Sequence, residues 1–138
     1  MNEGHWGFSS SMACSPVAAL IAAKVIDMIQ RPALTENVKH LETRLLHEFA
    51  TLCAEFPTVF APGSVLGAIA TIGLRTRAVR DAVQPALFRR GILCHSISLI
   101  EPAVTKFFPC LTSDASVIAE LAGALRGFAQ ERLAGSNA

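Results

Sequence analysis

The stretch "CSPVAALIAAKVIDMIQ", residues 14–30, restricts the fold more than any other part of the chain. It predicts a helix. Ser15 is a natural N-cap, and Pro16 suits the first helical position, where its missing N–H does no harm. Polar residues form only a thin line, Lys24, Asp27 and Arg31. A helix that is apolar nearly all round is expected to be buried on most sides. Lys24 and Asp27 also interrupt it before it reaches the roughly 18–20 apolar residues that a membrane span needs. The expectation is therefore a buried helix, not a transmembrane one.

The chain beyond it changes period several times. "LTENVKHLETRLLHEFATLCAEF" reads as a second helix, capped by Thr35, with one apolar stripe of Val38, Leu41, Leu45, Phe49, Leu52 and Phe56 at three- and four-residue spacing. "FPTVFAPGS" breaks the pattern with two prolines and a glycine. "SVLGAIATIGL" reads as a buried strand in which Gly67 marks a close backbone approach. "TRAVRDAVQPALFRRG" reads as a third helix, with Pro85 forcing a kink or a late start and Gly91 ending it after two cations. "ILCHSIS" and "AVTKFF" are two more strands. From Ser113 a last amphipathic helix places Val117, Leu121, Leu125 and Phe128 on one face. Residues 1–14 are a lead-in and 134–138 a frayed tail.

The order α-α-β-α-β-β-α cannot bury both faces of three short strands. It predicts one α+β domain over residues 1–138, a two-layer arrangement with a small, three-stranded, mainly antiparallel sheet and helices packed on one side. Hydrophobic residues make up 51% of the 138 and charged residues 17%, with a mean hydropathy of +0.43. About 25% charged is ordinary for a soluble domain, so this chain is expected to expose a surface that something else covers.

Charge and cysteines exclude several classes. The formal net charge is +1, and the arginines at 75, 77, 80, 89 and 90 form the one basic cluster. A nucleic-acid footprint needs a larger positive excess, so no nucleic acid is expected. Met1-Asn2-Glu3 carries no basic leader, which predicts no secretion signal. Cysteines 14, 53, 94 and 110 lack a CxxC spacing and read as small buried hydrophobes in a reducing cytoplasm, with no metal. Cys94 and His95 are strand neighbours that point opposite ways, which removes a nucleophile–base pair. His40 and His47 fall on the solvated side of the second helix.

Four segments resemble a known family. "GHWGFSSSMACSPVAALIAAKVI" resembles the stretch after the catalytic lysine in fold-type-I pyridoxal-phosphate enzymes. "GSVLGAIATIGL" is similar to the opening strand of their small-domain sheet. "LFRRGIL" looks like their helix-to-strand turn, and "VTKFFPCLTSD" like their "V-L-R-x-x-P-P-L-x-x-(T/S)" segment. Together, in order, they cover nearly the whole chain. The pattern resembles the C-terminal small domain of the class III aminotransferases, the ornithine/4-aminobutyrate type.

That resemblance implies roles for particular residues. The family's arginine in the last strand holds the substrate carboxylate, and Lys106 stands in its place. A lysine is a point charge, not a planar fork, so it holds a carboxylate with less geometric selectivity. Cys110 replaces the second proline of the pattern. From the residues alone, Lys106 either serves that role or points to water from a half-exposed sheet, on the face opposite Thr105 and Phe107. Ser9 or Ser10 stands where the family presents a hydroxyl to the cofactor phosphate of the other subunit. The other reading of the serine run is a polar lead-in to the Ser15 cap. His5 and Trp6 line a ligand site or an ordinary surface.

The resemblance also implies what the segment lacks. The Schiff-base lysine, the acid at the pyridine nitrogen and the phosphate cup belong to the family's large domain. Lys24 and Lys39 match no Schiff-base position. The implied cofactor is pyridoxal phosphate, not bound by this chain alone. The implied partners are a second copy in a dimer or a large pyridoxal-phosphate-binding domain on another chain, with an amino-acid or amine substrate. The isolated chain is expected to be inactive. Two further readings stand beside this one: a stand-alone interaction or ligand-binding module on the same fold, and the small domain of a class II α-oxoamine synthase, which "FSSSM" resembles.

Overall fold

The computed structural model describes residues 15–97 and 103–135. They fall into two units, Met1–Thr35 and Glu36–Ala138. The first holds helix α1 (Pro16–Ile29). Ser15 caps it as expected, its side chain accepting the Ala18 N–H at 3.4 Å. The expected burial is overturned: no residue of α1 is buried, and Leu20 is 73% exposed. A helix apolar on all sides needs several neighbouring surfaces to cover it.

Helix α2 (Pro32–Glu55) starts earlier than the sequence suggests. Pro32 takes the first position, and the N–H groups of Leu34 and Thr35 both reach the Arg31 carbonyl, at 3.0 and 3.3 Å. Thr35 is therefore inside the first turn and caps nothing, because a proline with preset φ is the stronger starter. The apolar stripe holds, with Leu41, Leu45, Phe49 and Leu52 buried.

The region that reads as a broken loop followed by one strand is a bulged hairpin. Strands β1 (Phe60–Ala61) and β2 (Val65–Leu66) both run antiparallel to β3 (Ile69–Leu74). Between them, residues 62–64 face only residues 71–72 of β3, which is one residue too many and defines a β-bulge. Proline is tolerated at such a bulge. Gly63 is required there, because a Cβ would lie 1.9 Å from the Thr71 carbonyl oxygen. The turn is Gly67–Ala68, with Gly67 alone at positive φ (57°), the pattern of a II′ hairpin. So Gly67 does not sit within a strand; it reverses the chain.

Helix α3 (Arg77–Phe88) is capped by Thr76, which accepts the Val79 N–H at 3.2 Å, and continues through Pro85. It ends at Gly91 (φ 77°), where the Ile92 N–H returns to the Leu87 carbonyl at 3.0 Å and the Arg90 guanidinium donates to the Ala86 carbonyl at 3.1 Å. Strands β4 (His95–Ile97) and β5 (Val104–Phe107) complete the sheet, in order β1-β3-β5-β4 with β2 beside β3, all pairs antiparallel. Three longer strands were expected and are present; β1 and β2 are additions too short to carry a period of their own. Helix α4 (Ala115–Gly135) follows, running into the segment expected to fray. It buries Ile118, with Val117 42% exposed, together with Leu121, Leu125 and Phe128.

The result is two layers. Phe60, Ala70, Ile72, Leu74 and Phe107 join the buried faces of α2, α3 and α4 in one core, and Thr105 is buried in the same row. The Phe49 and Phe107 rings meet edge-on at 5.9 Å, tying α2 to β5. The mixed α+β architecture, with helices on one side of a small antiparallel sheet, is as the sequence predicts.

Candidate functional site on the helix-free face of the sheet

Strand alternation decides which side chains remain on the other face. In β5, Thr105 and Phe107 are buried while Val104 and Lys106 are half-buried. In β3, Ala70 and Ile72 are buried, Thr71 is half-buried and Ile69 exposed. Register then fixes the neighbours: Thr71 stands opposite Lys106 on one side, and His95 of β4 opposite it on the other. The three form a row across three strands. Cβ atoms of directly opposed residues lie about 4.5–5.5 Å apart, so their side chains share one patch.

The flank beside Thr71 is built by the bulge. The Ser64 N–H donates to Thr71 Oγ1 at 2.8 Å, the two hydroxyls lie 3.0 Å apart, and the Thr71 N–H reaches the Ser64 carbonyl at 2.7 Å. The extra residue at the bulge swings Ser64 into line with Thr71. Among the described residues neither Lys106 nor His95 has an ion-pair partner. A lysine, an exposed imidazole and a hydroxyl pair, with no carboxylate paired to them among the described residues, make an anion-accepting surface.

The other sequence candidates scatter. Ser9, Ser10, His5, Trp6 and Cys14 lie outside the described residues. His40 and His47 are exposed on α2, as expected. Arg75, Arg80 and Arg90 of the arginine cluster go into structural contacts. Arg80 is 8% exposed and pairs with Asp81 at 2.7 Å, Arg75 donates to the Pro57 and Phe60 carbonyls, and Arg90 pairs with Glu131. Cys53 and Cys94 are half-buried, and burial pushes both thiols above their ordinary value. Cys110 corrects the expectation of burial: it is exposed. Hydrogen bonds from Thr112, chiefly with its hydroxyl at 3.2 Å, hold that thiol below its ordinary value. The sequence missed His95 and Ser64 as neighbours of this site, because only strand register brings them to Lys106.

The described residues do not build a pyridoxal-phosphate site. Four cavities of about 190–540 Å³ have no lysine in their linings. Lys24 and Lys39 are exposed on helices, and Lys106 lies on an open sheet face. No step through that cofactor follows from this chain by itself. No group of three His, Cys, Asp or Glu side chains gathers as metal ligands among the described residues, and none of the described helices is long and apolar enough to cross a membrane.

The fold of this chain, a small antiparallel sheet with helices on one side, matches part of several aminotransferase chains. The lysine aminotransferase of M. tuberculosis matches at a TM-score of 0.68 and 25% identity, over 78% of this chain and 24% of that one. A transaminase from the marine bacterium Virgibacillus matches at 0.73 and 20%, over 93% and 32%. An aminotransferase of Bacillus anthracis matches at 0.77 and 18%, over 94% and 32%. The chain thus spans between about a quarter and a third of the length of these proteins. No protein-family model matches the sequence, and no curated protein does.

Proposed function

We propose that this chain works as the C-terminal small domain of a class III, pyridoxal-phosphate-dependent aminotransferase. In this reading it contributes a substrate-carboxylate contact through Lys106 and a cofactor-phosphate contact through Ser9 or Ser10. The Schiff-base lysine is supplied by a large domain, within a cytoplasmic dimer. The observation that carries the reading is the placement of Lys106: half-buried on the helix-free face, with no ion-pair partner among the described residues, at the position where the resembling motif holds a carboxylate. The aminotransferase fold of the neighbours supports it, as does their greater length. A large domain would cover the open sheet face and the uncovered α1. Among the described residues Cys53, Cys94 and Cys110 carry free thiols, which suits a reducing compartment.

The test is a pyridoxal-phosphate titration of the purified chain, followed by borohydride reduction and mapping of labelled lysines. The expected result is no saturable label and no amino transfer. Saturable labelling of one lysine would give the chain a cofactor site of its own and refute this division of labour.

A further inference from the structure

We infer that His95 and Lys106 act together as a two-residue carboxylate clamp, in which the imidazole supplies the second directional donor that a lone lysine lacks. The inference rests on the reading that Lys106 meets the substrate carboxylate, and it adds the residue that orients that group.

The argument starts from the acceptor. A carboxylate has two oxygens and is held best by two donors in a fixed relation, which one guanidinium provides and one ammonium does not. An ammonium at this site attracts the group without fixing its plane. The sheet corrects this by register. His95 is directly opposite Lys106 in the β4–β5 ladder, so both side chains rise from the same face at the spacing of a cross-strand pair. A neutral imidazole keeps one ring N–H donor and a charged one has two. The planar ring, carried on a short side chain, adds direction to the charge of Lys106.

The surroundings agree. Among the described residues neither group is ion-paired, so both are free to meet a ligand. Two basic side chains directly opposed in a ladder repel when both are charged, and an anion bridging them removes that cost. On the far side of Lys106, Thr71 is held by Ser64 through its hydroxyl, which limits its freedom to serve as the second donor. His95 is exposed, and among the described residues no ion pair holds it.

The test uses acetate as the probe. Isotope-labelled chain is titrated with acetate, with chloride at matched ionic strength as control, and followed by NMR at the His95 ring and the Lys106 side chain. Both signals are expected to saturate with one dissociation constant. His95→Val, which suits a strand and donates nothing, should weaken acetate binding about three- to tenfold. His95→Gln, which keeps an N–H donor, should stay within about twofold of the parent chain. In a Lys106→Arg background, where one side chain supplies both donors, His95→Val should have no effect. If His95→Val leaves affinity unchanged while Lys106→Met abolishes it, the clamp is refuted and the role of Lys106 stands. If Lys106→Met changes nothing, both are refuted. A melting curve for each variant reads folding separately, and the His95→Gln and Lys106→Arg chains keep the comparison decisive if His95→Val loosens β4.

Discussion

Lys106 shows how much one residue depends on its neighbours. Its side of the sheet is legible from alternation with Thr105 and Phe107, both buried. Its company is not, because His95 is eleven residues upstream and Thr71 belongs to another hairpin. Asp114 makes a second case. Its carboxylate accepts the Ser116 N–H at 2.8 Å at the start of α4, and hydrogen bonds from Ser116, the hydroxyl first, hold it below the usual aspartate range. A carboxylate whose folded value is depressed stabilises the protein fully above its unfolded value, about 3.9, and that contribution is lost as pH falls through the lower folded value. Asp114→Ala should therefore melt below the parent chain at neutral pH, with the gap closing below about pH 4; a gap independent of pH would show that the carboxylate charge is not what caps α4. In the core, Leu45 is fully buried. Leu45→Ala should cost about 2–5 kcal/mol in urea unfolding, and a smaller loss would mean that α2 packs more loosely on the sheet.

At the scale of elements, two special residues make opposite predictions. Gly67 turns the β2–β3 hairpin at positive φ, and an added Cβ would also meet Val38 Cγ1 at 3.2 Å. Gly67→Ala should destabilise by about 1–2 kcal/mol from the left-handed backbone alone. An unchanged urea midpoint would contradict that. Pro85 lies on the exposed side of α3 and cannot donate to the Asp81 carbonyl. Pro85→Ala restores that donor, which outweighs the stability lost by loosening the unfolded chain, so a net gain of about 1–2 kcal/mol is expected from the same measurement. Most helices were legible in the chain because a 3.6-residue period repeats over many turns. The bulge at Pro62 and Gly63 was not, because two-residue strands have no period and a proline reads locally as a break. Only pairing with β3 shows that the chain stays in the sheet.

For the whole molecule, the question is what the apolar excess is for. The core of α2, α3, α4 and one sheet face uses most of the apolar stripes, while α1 keeps Val17, Leu20 and Ile21 at 60% exposure or more. The sheet's other face is open as well, and the neighbours of similar fold are about three times this chain's length. Mixed with the amino donor and acceptor of a transaminase assay, the purified chain should show no amino transfer above buffer. Turnover that survives repurification would overturn the proposal that the cofactor lysine belongs to another domain.

Local stretches of the chain were enough to set the helices, the alternation that places Lys106 opposite Thr105 and Phe107, and the resemblance of Lys106 to a carboxylate-holding position. These depend on periods and short motifs, which are local along the chain. Register, the bulge, the exposure of α1 and the meeting of His95 with Lys106 came only with the folded molecule. Each depends on which distant segments lie side by side, and backbone pairing and burial set that collectively, so no single stretch encodes it.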